Sequence, residues 1–191
     1  LQQFDRDLLT IKKYTPRAVR KTTRYMYDKN HAPLTLVCHD AFGDGNHPTT
    51  KQCIAFLRKA LKNKPASAFD IGTGTGVLSL IAARHGVTDI LAIDYDQAAV
   101  ARTKQNMRAN RLRFQVKRKD IVRQPVARHY DLVIANMNSA ILEAAWPNIL
   151  GAVAPHGTLI LSGIGTPWVK DIRQRLTTSK YRIRQEKSVA G

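Results

Sequence analysis

Apolar and polar positions alternate in two rhythms from residue 66 onward. Strand-length apolar runs at residues 67–71, 90–93, 113–118, 131–135, 158–161 and 181–185 alternate with helix-length segments at 77–85, 97–110, 139–146 and 168–177. This alternation predicts successive βαβ units, and so an α/β fold built on a mostly parallel sheet. Asp96 stands where the second helix needs a cap, and Thr166 with Pro167 can open the last. Pro147 predicts a break or kink before residues 148–153. Upstream, Cys53, Leu57 and Leu61 share a helical stripe with Ile54 beside it, which predicts an additional helix over 49–61 packed on the sheet. Residues 1–33 follow neither rhythm. Phe4, Leu8 and Ile11 fit one short amphipathic helix and the basic residues after it fit an arm, so this extension is expected to be helical or flexible, with the domain proper at 34–191.

The stretch between the first strand and its helix, DIGTGTGVL, carries the first chemistry. Gly72, Gly74 and Gly76 follow Asp70 at alternate positions, so the backbone can turn tightly and let a ligand approach closely. A dinucleotide fingerprint needs its third glycine three residues past the second, where Val77 stands; counting from Gly74 puts Ser79 there. Walker-type phosphate binding also lacks its lysine. An acid at Asp70 repels a pyrophosphate and suits an ammonium group, which points to S-adenosylmethionine, with S-adenosylhomocysteine as product. Asp94 ends the next strand twenty residues past Gly74, where a carboxylate can accept both ribose hydroxyls. That feature alone suits a nicotinamide coenzyme equally well. Asp120, after the third strand, is placed to accept from an adenine amino group.

Composition changes the picture at one point. Apolar content of 43% and charged content of 24% are ordinary, and no apolar run is long enough to span a membrane, so an intracellular, cytoplasmic protein is expected. The charge is not ordinary: 31 Lys and Arg against 14 Asp and Glu give +17. Residues 104–128 contain nine basic residues with Asp120 as their lone acid, and residues 1–30 contain eight, interleaved with Tyr14, Tyr25 and Tyr27. Such patches attract polyanions, so contact with RNA or the ribosome is one reading and a solvated basic face is the other. Cys38 and Cys53 lack any paired or metal-binding spacing and are expected to be buried or free thiols. His39, Asp40, Asp44 and His47 match no metal-ligand pattern, so no metal is expected. With no initiator Met and an end just after the sixth strand, a fragment or a processed chain is expected.

The ordered segments AFGDGNHPTT, DIGTGTGVLSL, AIDYDQAAV, DLVIANMNSAIL and HGTLILSGI resemble the PrmA family of ribosomal-protein methyltransferases, across roughly residues 34–178. The resemblance implies a Rossmann-like class I methyltransferase fold with helices on both faces of the sheet. It makes Phe42, Gly43, His47, Thr49 and Thr50 candidates for a loop over the methionine end of S-adenosylmethionine. Asn136, at the end of the fourth strand, becomes the candidate catalytic residue, orienting an amine whose lone pair must be exposed; the alternative is a cap for the helix that follows. Asp44 and Asn46 stand where the family commonly has threonine, and some 33 residues are too few for its separate recognition domain. The acceptor therefore stays open: first a protein amino group, then a small-molecule amine, then ribosomal RNA. A non-catalytic RNA- or ribosome-binding protein that keeps the cofactor fold is the rival class.

Overall fold

The computed structural model describes residues 21–25, 33–38, 45, 47–179 and 181–188. The expected amino-terminal helix, Tyr14 and Tyr27, the metal alternatives His39, Asp40 and Asp44, and the loop candidates Phe42 and Gly43 lie outside the described residues. Two strands that the apolar rhythm did not announce, β1 (Lys21–Tyr25) and β2 (Leu34–Cys38), pair antiparallel with Lys21 opposite Cys38. Helix α1 (Pro48–Leu61) follows, and then the alternation begins: β3 (Ser67–Ile71), α2 (Val77–Arg84), β4 (Asp89–Asp94), α3 (Gln97–Ala109) and β5 (Gln115–Arg118). The second half runs β6 (Tyr130–Asn136), α4 (Ser139–Ala144), α5 (Trp146–Gly151), β7 (Val153–Ser162) and, after a single 3₁₀ turn at Thr166–Trp168, α6 (Val169–Thr178).

The five strands β3 to β7 form one parallel sheet in the order β5-β4-β3-β6-β7. The chain steps outward from β3 to β5 and then returns to lay β6 on the other side of β3. That reversal opens a crevice at the carboxyl ends of β3 and β6, where α/β sheets bind ligands. Side-chain parity divides the core. Ala68, Ile90, Leu132 and Ile134 face Cys53, Leu57, Leu80 and Ile81 of α1 and α2 together with Leu34 and Leu36 of β2. Phe69, Ile71, Leu91, Ile93, Val133 and Ala135 face Leu142, Ala145 and Ile149 of the α4–α5 segment. Helices therefore cover both faces, as expected of a strand buried on both sides.

The carboxylate of Asp131, near the start of β6, fixes the register at the opposite end of the central pair. It accepts from the backbone amides of Ala66 (2.9 Å) and Ser67 (3.0 Å) and from the Ser67 hydroxyl (3.2 Å).

Three expectations shift. The predicted 139–146 helix stops at Ala144, because Pro147 falls in the first turn of a new helix, where a missing N–H costs nothing. Strand β7 begins five residues before 158, with a register irregularity between Tyr130 and Leu132 and Gly157 packed against Ala154 O. Residues 181–185 form no strand. Ile183 is 42% exposed, and the segment is tied down by side chains instead: Lys59 Nζ to Gln185 Oε1 (2.8 Å) and Arg173 with Glu186 (2.6 Å). Cys38 and Cys53 are both buried thiols. Burial, with Asp70 nearby, pushes the Cys53 thiol far up, so it is not a nucleophile. No helix of the described residues is long and apolar enough to cross a membrane.

Candidate active site

The turn after β3 is braced by the neighbouring strand. The amides of Gly72 and Thr73 both donate to Ile93 O of β4 (2.9 Å each), and Gly76 N donates to Thr73 O (2.8 Å). Gly72, Gly74 and Gly76 all have positive φ, at 71°, 58° and 82°. Their surroundings differ. A Cβ on Gly76 would strike Thr103 Cγ2 at 2.7 Å and one on Gly72 would press Met137 Cε at 3.2 Å, whereas one on Gly74 would meet nothing within 4 Å. Gly76 is thus required by packing, Gly72 meets only the mobile end of Met137, and Gly74 faces open space.

Asp70 lies beneath this turn, 2% exposed, with one oxygen accepting from Thr73 Oγ1 (2.8 Å) and Ser79 Oγ (2.6 Å). Burial pushes its carboxyl above the ordinary range, against the pull of the Ser79 and Thr73 hydroxyls and the Ser79 backbone amide. Asp94, 8% exposed, accepts from Gly74 N through one oxygen and from Asp96 N through the other, both at 3.0 Å. Each oxygen keeps a further lone pair. Asp96 itself caps α3 through Ala98 N (2.9 Å). Asp120 stands two residues beyond β5, its carboxylate accepting from Val122 N (3.0 Å) and lying 3.7 Å from Arg123 Nε.

On the other side of the crevice, the start of α1 lies over the ends of β6 and β7. His47 caps the helix, its Nδ1 within 2.7 Å of Thr49 Oγ1 and accepting from Thr49 N at 3.4 Å. Ser162 Oγ donates to Thr49 O (3.2 Å), and Asn136 Nδ2 donates to Thr50 Oγ1 (3.3 Å). Asn136 is the last residue of β6, opposite Ser162, and among the described residues its Oδ1 accepts no hydrogen bond. The helix that follows is capped by Asn138 through Ile141 N (3.0 Å), so capping does not occupy Asn136. Gly163 closes this rim at φ 81°, where a Cβ would fall 2.3 Å from Met137 O.

The hydrogen bonds thus gather two groups at the carboxyl ends of the sheet: Gly74 with Asp94 beside β4, and His47, Thr49 and Thr50 with Asn136 and Ser162 over β6 and β7, while Asp70 is buried beneath the turn and Asp120 follows β5. Residues that pattern reading passed over hold these in place: Thr73 and Ser79 on Asp70, Thr103 on Gly74 O (3.0 Å), and Ser162 on Thr49. Two of them bond the nearby Asp70 carboxylate and two bond backbone carbonyls distant in sequence, and neither kind of contact leaves a periodic trace. The segment from Asp70 to Val77 contains two threonines and no cation. Among the described residues no group of His, Cys, Asp and Glu could hold a metal ion.

Residues 14–190 match the family described as ribosomal protein L11 methyltransferase (PrmA). A relative named ribosomal protein L11 methyltransferase, from Halalkalibacterium halodurans, is 32% identical over 146 residues, or 76% of this chain and 46% of that protein. The chain spans about half the length of the curated relatives it matches. The solved ribosomal protein L11 methylase of Lactobacillus delbrueckii subsp. bulgaricus superposes with a TM-score of 0.70 at 26% identity, over 76% of each chain. The N-methyltransferase NodS of Bradyrhizobium japonicum WM9, solved with S-adenosylhomocysteine, shares the fold at a TM-score of 0.54 and 20% identity, over 65% of this chain and 66% of that one.

Proposed function

The chain belongs to the ribosomal protein L11 methyltransferase family, and from that premise we propose that it transfers a methyl group from S-adenosylmethionine to an amino nitrogen of a protein, in the cytoplasm. The supporting observation is the crevice at the β3/β6 reversal: open space over Gly74, an acid at Asp94 with lone pairs to spare, and no cation in the turn. A phosphorylated coenzyme would find the Asp94 carboxylate and no counter-charge there. An adenosine bearing an ammonium, a carboxylate and no phosphate fits that donor set. Asp94 would hold the ribose, Asp120 the adenine amino group, and Gly72, Gly74 and Gly76 the main-chain surface, with Asp70 securing the turn from beneath. His47, Thr49 and Thr50, with Phe42 and Gly43 before them, would cover the methionine end.

When bound, S-adenosylmethionine supplies an electrophilic methyl on a sulfonium that departs as a neutral thioether. The protein's task is then alignment and exclusion of water. Asn136 would act on the acceptor: with Nδ2 anchored on Thr50, its Oδ1 is held outward to accept from an amine N–H and aim the lone pair. An ammonium with a pKa near 10.4 must lose a proton first, and a crevice that desolvates it lowers that pKa. Calorimetry with S-adenosylhomocysteine tests the cofactor; the absence of saturable heat would refute the reading. Labelled methyl donor with fractionated extract tests the acceptor: label in a protein pool is expected, and label confined to metabolites would transfer the proposal to a small-molecule amine.

A second reading concerns partners. Lys104, Arg108, Arg111, Arg113, Lys117 and Arg118 are exposed along α3 and the edge strand β5, and among the described residues they form no ion pair. One or two such charges would suffice to protect a sheet edge. Six, with Lys104 and Arg108 one turn apart on α3, repel one another without internal compensation and support contact with RNA phosphates.

A further inference from the structure

Strand β2 has β1 on one edge. On the other it meets two asparagine side chains, one within α3 and one at its C-cap. Thr35 N donates to Asn110 Oδ1 (2.9 Å) and Asn110 Nδ2 returns a hydrogen bond to Thr35 O (2.8 Å). One helical turn earlier, Val37 N donates to Asn106 Oδ1 (2.7 Å) and Asn106 Nδ2 returns to Val37 O (3.4 Å). The match is geometric: four helical residues rise about 6 Å and two strand residues about 6.8 Å, so amides at i and i+4 can stand in for a neighbouring strand. Both side chains are buried, Asn106 completely and Asn110 to 8% exposure.

The two rungs differ in one respect. The second Nδ2 hydrogen of Asn106 goes to Thr75 O (2.8 Å), in the turn between Gly74 and Gly76, whereas that of Asn110 returns to its own helix at Asn106 O (2.8 Å). Thr103, one turn before Asn106 on the same face, holds the adjacent Gly74 O. A single amide thus joins the turn to the strand that leads into residues 39–50. Only a group with one acceptor and two donors can do so. Aspartate matches the shape but has no donor.

We infer that Asn106 is a positioning residue for the cofactor turn, fixing the Thr75 carbonyl and the path of β2 together, while Asn110 secures β2 alone. This rests on reading the turn as the S-adenosylmethionine site. The test compares Asn106→Asp with Asn110→Asp in the full chain by amide hydrogen exchange and by calorimetry with S-adenosylhomocysteine. Both variants should speed exchange across residues 34–38. Only Asn106→Asp should speed it across 72–77, and only that variant should weaken binding by about tenfold or more, with Asn110→Asp within about threefold. Equal effects from the two, or unchanged exchange across 72–77 in Asn106→Asp, would overturn the inference. Should a buried carboxylate prevent folding, Asn106→Ala against Asn110→Ala makes the same comparison. If the wild-type chain bound no S-adenosylhomocysteine, the cofactor reading would fall, and the exchange comparison would still decide whether Asn106 holds the turn.

Discussion

Asn136 ends β6 and Asp70 is buried beneath the turn after β3, and they make opposite demands on experiment. Asn136 is anchored at its amide nitrogen only, so Asn136→Ala should lower turnover on the true acceptor by about a hundredfold, in line with the loss of one positioned proton-handling group. Affinity for S-adenosylhomocysteine should change by less than about threefold, and an unchanged turnover would contradict the assignment. Asp70 is a question of stability. Burial raises its folded pKa above the unfolded value near 3.9, so its favourable contribution is complete below that value and is lost as pH rises through the folded pKa. Asp70→Asn, which cannot ionise, should therefore gain in thermal midpoint relative to wild type as pH is raised from about 4. A difference that stays flat, or reverses, would show that the Thr73 and Ser79 hydroxyls outweigh burial.

Elements show where the sequence could be read and where it could not. The rhythm of β3, α2, β4, α3 and β6 was legible because each buries a full face or stripe. Leu57 and Leu80 are both fully buried, at the spacing their helices require. Gly72, Gly74, Gly76 and Asp94 were legible because a turn and a strand end dictate residue type locally. The pairing of β1 with β2 was not, since one edge of β2 is completed by Asn106 and Asn110, some seventy residues downstream. The expected strand at 181–185 failed for the converse reason: alternation at Tyr181 and Ile183 was present, but Ile183 finds no buried face. Two substitutions test the elements themselves. Leu57→Ala, in the contact of α1 with the sheet, should cost about 2–5 kcal/mol in denaturant unfolding. Gly163→Ala should cost at least the roughly 1–3 kcal/mol of a left-handed backbone, because its Cβ would also meet Met137 O, and a neutral result would mean that the β7 exit is laxer than its geometry implies.

At the scale of the whole molecule, charge is the quantity without an internal partner. The exposed cations of α3 and β5 should bind single-stranded RNA with an affinity that falls linearly against the logarithm of salt concentration, and Lys104→Gln with Arg108→Gln should flatten the slope by about one to two charges. A salt-independent affinity would assign the strip to solvation. The register clamp of Asp131 on Ser67 carries a different consequence, one of time. It joins strands 64 residues apart, while β3 and β4 pair across about 22. Closing the longer loop is the slower step, so in refolding the pairing of β3 with β6 should be the last part of the sheet to assemble.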